Sequence, residues 1–155
     1  MIIRVKKIEH ERIEDAPFIG ALICAIDCNI GCKECFNQHI KALPTIQRDS
    51  KNIIEEVLSN KFNQGIILSG LEWSLQIEEA YELITVAQQN NLQVILYTGL
   101  NEEEFKNKCE KLYDIRNIYI KFGGYDYLSK AKIKYFNIYL ASNNQIIKFK
   151  ERGDV

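Results

Sequence analysis

The residues best equipped for chemistry in this 155-residue chain are Cys28, Cys32 and Cys35. They lie in the segment Asp27-Cys28-Asn29-Ile30-Gly31-Cys32-Lys33-Glu34-Cys35-Phe36-Asn37. The spacing C-x3-C-x2-C sets three soft thiolates on one short loop, a donor set that suits zinc or an iron–sulfur cluster. In a reducing compartment such a cluster of thiols argues for metal or catalysis rather than disulfides. Structural zinc sites usually close with four ligands in two separated pairs. This chain has no second Cys-x2-Cys and no histidine pair, since His10 and His39 are far apart. Zinc closed by His39 is the alternative to a cluster. Cys24 is a poor fourth ligand: four residues of extended chain would carry it roughly 13 Å from Cys28. It reads as a small buried hydrophobe, and Cys109 stands alone. Three cysteines on a four-iron cluster leave one iron without a protein ligand, a position open to a substrate or cofactor.

The elements that must position this loop follow from the apolar pattern. Residues 18–27 (FIGALICAID) read as a buried strand running into the cysteine loop. Residues 49–60 carry Ile53, Ile54, Val57 and Leu58 at helical spacing, with Asp49 or Ser50 as N-cap. A strand at 65–69 (GIILS) precedes a helix at about 76–90 that buries Ile77, Ala80, Tyr81, Ile84 and Ala87. A strand at 92–97 (LQVILY) leads to Asn101, which caps a helix with the acidic first turn Glu102-Glu103-Glu104, a charge suited to the positive end of the helix dipole. That helix turns Phe105, Cys109 and Leu112 inward before the strand at 117–122 (NIYIKF). Residues 138–140 and 145–149 read as closing strands, and residues 1–7 as an opening one.

Alternation of apolar strands with amphipathic helices predicts one α/β domain over residues 1–155, with a mostly parallel sheet and helices outside it. A complete eight-fold barrel needs about 250 residues, so an open partial (βα) barrel is the expected form, with its site at the C-terminal strand ends. A net charge of -1 and a pI near 6.2 argue against a nucleic-acid partner, because such domains are usually basic. Residues 1–7 lack the apolar core and cleavage site of a signal peptide, and no apolar run approaches the roughly 18 residues of a membrane span. A cytoplasmic protein without a membrane partner is expected.

With these residues laid out, the chain resembles the radical SAM superfamily. Within it, the chain resembles the anaerobic ribonucleoside-triphosphate reductase activating proteins. The C-x3-C-x2-C spacing is the superfamily signature, and Cys35-Phe36-Asn37 is similar to the Cys-aromatic-Asn of those activators. Four further stretches follow in the family's order. Leu68-Ser69-Gly70-Leu71-Glu72 resembles the Ser-Gly-Gly-acid strand end that holds the methionyl amine. Tyr97-Thr98-Gly99 and Lys121-Phe122-Gly123-Gly124-Tyr125 resemble the next two strand ends, and Ala141-Ser142-Asn143-Asn144-Gln145 the Ser-Ser-Asn-Gln motif. The chain departs from the pattern at Leu71, where the family usually has a second glycine, and no proline follows at Trp73-Ser74.

The resemblance implies a 4Fe-4S cluster on Cys28, Cys32 and Cys35 with S-adenosylmethionine on its open iron. Glu34, Phe36, Ser69, Gly70 and Glu72 would contact that cofactor. Glu34 occupies a position where many radical SAM enzymes carry an aromatic, so adenine stacking would pass to Phe36. No side chain is expected to act as a catalytic acid, base or nucleophile. By resemblance the enzyme generates a glycyl radical on a large partner, an anaerobic ribonucleotide reductase, with electrons from a flavodoxin-like donor. Rival readings keep the radical chemistry but act on another glycyl radical enzyme, a peptide or a small molecule. A further rival is a non-catalytic metal or iron–sulfur module.

Overall fold

The computed structural model describes residues 1–31, 38–126, 128, 130–136, 138–142 and 144–151, with 130–133 and 135 as backbone only. Cys32, Glu34, Cys35 and Phe36 therefore lie outside the described residues.

Short strands and helices alternate through the middle of the chain. After β1 (Ile2–Val5), β2 (Lys7–Arg12) and β3 (Gly20–Cys24) come the cysteine loop, a 3-10 turn over Gln38–Ala42 and β4 (Ile46–Asp49). Then follow α1 (Ser50–Ser59), β5 (Gly65–Ser69), α2 (Ile77–Gln89), β6 (Gln93–Tyr97), α3 (Glu102–Lys108), α4 (Glu110–Tyr113) and β7 (Ile118–Phe122). The chain closes with β8 (Lys130–Tyr135), β9 (Ile138–Ser142) and β10 (Ile146–Lys150).

Local chemistry sets the helix boundaries. Asp49 caps α1 by accepting the Lys51 N–H at 3.0 Å, which satisfies one of the donors a helix start leaves orphaned. Its apolar stripe is narrower than the periodicity suggests: Ile53, Ile54 and Val57 are buried, whereas Leu58 points to solvent. In α2 the fully buried set is Ala80, Leu83, Ile84 and Ala87, with Ile77 and Tyr81 only partly covered. The helix after Asn101 starts with a reciprocal capping box between Asn101 and Glu104. The single helix expected there is broken at Cys109, whose ψ of 45° leaves the helical region. Phe105, Cys109 and Leu112 are nevertheless all buried, and the Cys109 N–H still donates to Phe105 O at 2.7 Å.

The main sheet has six strands in the order β10-β7-β6-β5-β3-β2. The inner four, β3, β5, β6 and β7, are parallel, and helical crossovers join them. Both outer strands are antiparallel to their neighbours, so the sheet is mixed. A short return makes β2 antiparallel to β3, because a parallel partner requires a long crossover. Separate two-stranded pairs are formed by β1 with β4 and by β8 with β9. The strand expected over 18–27 is shorter than its apolar run. Only Gly20–Cys24 is strand, while Phe18 folds back beneath the sheet against Gly20 and Gly65. β2 and β4 escape the apolar pattern because their residues are largely charged or exposed, as suits edges and small ribbons.

The sheet separates two cores. On one face Ile66, Leu68, Val94, Leu96, Ile120 and Phe122 pack with the buried sides of the helices. On the other, Leu22, Cys24, Ile67, Ile95 and Ile147 are covered by Ala16, Phe18, Ile40 and, from β9, Ile138 and Leu140.

Candidate functional site

The strand register aligns the inner-face side chains in cross-sheet rows. One row runs Leu22–Ile67–Ile95–Tyr119–Phe149 and is apolar or aromatic throughout. Two residues further along each strand, Cys24 lies opposite Ser69, and Tyr97 opposite Lys121, which lies opposite Ile147. The inner face therefore turns from an apolar floor to a polar rim at the C-terminal ends of the parallel strands. In open α/β sheets this is the end where ligands bind.

A cavity of about 450 Å³ opens over that rim. It is lined by Cys28, Ser69, Gly70, Leu71 and Glu72, by Thr98 and Gly99, and by Lys121, Gly123 and Gln145. The fold thus brings Cys28 together with the strand-end segments singled out in the sequence. Cys32, Cys35, Glu34 and Phe36 cannot be placed, because they lie outside the described residues. Among the described residues no group of three or more His, Cys, Asp or Glu side chains forms a metal-binding cluster.

The base of the cysteine loop is clamped from several sides. The Cys28 N–H donates to Asp27 Oδ1 at 2.7 Å, and Lys41 Nζ lies 3.3 Å from the same oxygen. These two donors hold the exposed Asp27 carboxyl below its ordinary range. The Glu72 N–H donates to Asp27 O at 2.8 Å, and the Ile26 N–H to Gln76 Oε1 at 2.9 Å. Gln76 then reaches Arg4 O with its Nε2 at 2.9 Å, while buried Trp73 donates from Nε1 to Ile23 O at 3.1 Å. Ile30, within the loop, packs on the backbone of Gly99, where a Cβ would come 2.7 Å from the isoleucine side chain.

Glu72, the acid expected at the ligand, is 2% exposed. Its Oε2 accepts from Ser74 N at 3.0 Å and from Thr98 Oγ1 at 2.9 Å, and its Oε1 accepts from Gly99 N at 2.7 Å. The two oxygens of a carboxylate offer about four acceptor positions, so three internal donors leave room for one more. Gly70 has φ +84°, and a Cβ there would collide with Cys24 Sγ, so both the conformation and the space require glycine. Leu71 needs no such freedom: its φ is not positive, and its side chain packs against both cores while lining the cavity.

Cys24 is fully buried, and burial pushes its thiol up to about 11, the behaviour of a packed hydrophobe rather than a thiolate ligand. Tyr97 donates its hydroxyl to Asp15 O at 2.6 Å, pinning the turn between β2 and β3 across the cavity. Burial raises its phenol pKa well above the ordinary value. In the last motif, Asn144 donates to Gly124 O at 2.7 Å, and Gln145 accepts the Ala141 N–H at 2.8 Å while donating to Gly123 O. These residues build a turn against Gly123, whose φ of +101° brings its backbone close to Asn144 O.

Two further residues belong to the site. In the sequence Gln76 marks only a helix start, yet a buried glutamine needs partners for both ends of its amide. Lys121 is 9% exposed and lines the cavity, and a lone lysine inside the apolar run NIYIKF was the signal for it.

Residues 19–148 match the family model described as the 4Fe-4S single cluster domain. The chain belongs to that family. No curated protein matches it with significance. Membership makes it an iron–sulfur protein, and the donor chemistry agrees, with Cys28 at the cavity wall as the first of three soft thiolates. None of the helices among the described residues is long and apolar enough to cross a membrane.

Proposed function

We propose that this iron–sulfur protein is a radical SAM activase, with Cys28, Cys32 and Cys35 holding a 4Fe-4S cluster and the adjoining cavity taking S-adenosylmethionine. In this reading the parallel strands form an open partial (βα) barrel of the radical SAM type. The observation that supports it most is the single cavity shared by Cys28 and the end segments of β5, β6 and β7. A 4Fe-4S cluster held by Cys28, Cys32 and Cys35 would supply, once reduced, the one electron needed for cleavage of the sulfonium C–S bond.

The chain's own residues bind and orient. Glu72, a buried carboxylate with one acceptor position left, suits the methionyl ammonium, and the Thr98 and Gly99 donors hold it in place. Gly70 brings the end of β5 close to the cavity without a side chain. Phe36, next to a ligand cysteine, and Glu34 complete the cofactor contacts in this proposal. The apolar walls from Ile30, Leu71 and Ile138 limit water around a reactive radical. The target in this reading is a glycine Cα on a large partner, an anaerobic ribonucleotide reductase, and a flavodoxin-like donor reduces the cluster.

The test is anaerobic reconstitution with iron and sulfide, followed by reduction and electron paramagnetic resonance with and without S-adenosylmethionine. A cluster signal that changes on adding S-adenosylmethionine, with release of methionine and 5′-deoxyadenosine, is the expected result. An intact reduced cluster that leaves the cofactor uncleaved would instead make this a non-catalytic iron–sulfur module. Mixing the active protein with an anaerobic reductase should then give a glycyl radical doublet.

A further inference from the structure

Gln76 stands at the start of α2, yet its side chain makes no helix cap. The residue is 4% exposed, and its amide is committed to other segments. Its Oε1 accepts the Ile26 N–H at 2.9 Å, while its Nε2 donates to Arg4 O at 2.9 Å and to Glu79 Oε2 at 3.2 Å. Glu79 also accepts from the Arg4 N–H and guanidinium, so the far end of this bridge is itself fixed.

Ile26 lies two residues before Cys28, where the chain has already left β3. Off the sheet ladder, its backbone polar groups must find other partners. Three successive residues find them in one segment. The Ala25 N–H donates to Ser69 O at 3.3 Å, the Ile26 N–H to Gln76, and Asp27 O accepts the Glu72 N–H at 2.8 Å. The first and third of these are backbone bonds that survive a change of side chain. The second hangs on Gln76 alone. An apolar residue at 76 would withdraw that acceptor from half-buried Ile26 and the Nε2 donor from Arg4 O. Ile30, packed on Gly99, would still seat the loop beyond Cys28, so such a change loosens the loop without releasing it.

We propose that Gln76 is a positioning residue for the iron–sulfur cluster: it fixes the path of the chain into Cys28 and thereby how firmly the loop holds the cluster. This rests on the reading of Cys28 as a cluster ligand and does not require S-adenosylmethionine to bind.

The experiment follows loss of the reconstituted cluster to an iron chelator under anaerobic conditions, read from its visible absorbance. Wild type is compared with Q76M, which keeps the side-chain length but offers no strong hydrogen-bonding atom. The control is I118V, a truncation of a fully buried residue at the start of β7, the sheet end away from the cavity. Q76M should shed its cluster roughly 10-fold faster, the lower end of what partners behind metal ligands cost in affinity. I118V should match wild type. The double variant Q76E/E79Q returns an acceptor to Ile26 and exchanges donor and acceptor between positions 76 and 79, so it should recover most of the loss. Hydrogen exchange should quicken at Ile26 in Q76M while the amides of β6 keep their protection. Equal acceleration in Q76M and I118V, no acceleration in Q76M, or no recovery in Q76E/E79Q overturns the role of Gln76 and leaves Cys28 as a ligand. C28S, measured alongside, tests the underlying reading: a full cluster retained at the wild-type rate overturns both. Q76N, one carbon shorter, draws the amide back from its partners while staying polar, so the result does not depend on Q76M folding.

Discussion

On the helix-covered face of the sheet, Ile66, Leu68, Val94, Leu96, Ile120 and Phe122 share one apolar cluster with residues of α1 to α4. On the opposite face, the apolar row from Leu22 to Tyr119 gives way at the strand ends to Ser69, Tyr97 and Lys121. The helix face is a packing surface, where shape and volume decide. The inner rim is polar, with Glu72, Tyr97 and Gln145 each held by named partners, and there a residue can be costly without being large. The contrast shows how a short chain combines a stable core with an open cavity: one face of each strand packs against helices, and the ends of the other face line the cavity.

The helix face should respond most strongly to a cavity. Phe105 is fully buried and meets Phe122 edge-on at a centroid distance of 5.7 Å. Phe105→Ala should cost about 3–5 kcal/mol of unfolding free energy by chemical denaturation. It should leave the ligand preferences of any surviving folded protein unchanged. A loss below 1 kcal/mol would show that this face is loosely packed and would dissolve the contrast.

Next comes the rim's tightest backbone approach. Gly70→Ala combines a left-handed backbone with a collision at Cys24, and should cost about 2–4 kcal/mol despite adding a single carbon. It should also lower cluster content after reconstitution, read from visible absorbance, because the end of β5 lies in the same cavity as Cys28.

A smaller effect is expected from Tyr97→Phe. It removes the hydroxyl bond to Asp15 O but keeps the ring beside Lys121. Stability should fall by about 1 kcal/mol, with little change in volume or packing. The visible consequence should be faster proteolysis in the turn between β2 and β3, which that bond anchors.

The smallest effect concerns pH at the sheet edge. Lys7 and Arg12 donate to the Glu9 carboxylate at 2.7 and 2.8 Å, and these bonds hold its pKa below the ordinary 4.5. A carboxylate depressed in the folded state contributes stability above its unfolded pKa and loses it as the pH falls through the folded value. With Glu9 more than one-third exposed, the contribution should be only a few tenths of a kcal/mol, roughly. Denaturation of Glu9→Gln between pH 6 and pH 3, on the order of the range where glutamates titrate, should show a flatter acid limb than wild type.

Much of the framework was legible from side-chain type and order. The 3.6-residue repeat located α1 and α2, and Asn101 with Glu104 announced the capping box that starts α3. Apolar runs located β3, β5, β6 and β7 to within a few residues, since strands buried on both faces have no alternation to blur them. The edges were less visible: β2 is charged and β4 exposed, and pairing with a neighbour rather than burial makes them strands. The break at Cys109 left no mark in the pattern either, because the residues on both sides keep facing the core.

By itself the sequence determined the chemistry available: three thiolates at a cluster spacing on the loop after a buried strand, in a chain of the 4Fe-4S single cluster family. Thiolate spacing is a local property that needs no fold to be read. Only the tertiary structure decided what surrounds Cys28. Parallel register set Tyr97 against Lys121 and Cys24 against Ser69, and the turn after β5 spent three acceptor positions of Glu72 on Ser74, Thr98 and Gly99. Those pairings join residues some 26 positions or more apart in several cases, such as Glu72 with Thr98. Cross-strand geometry, not local preference, determines which of them meet.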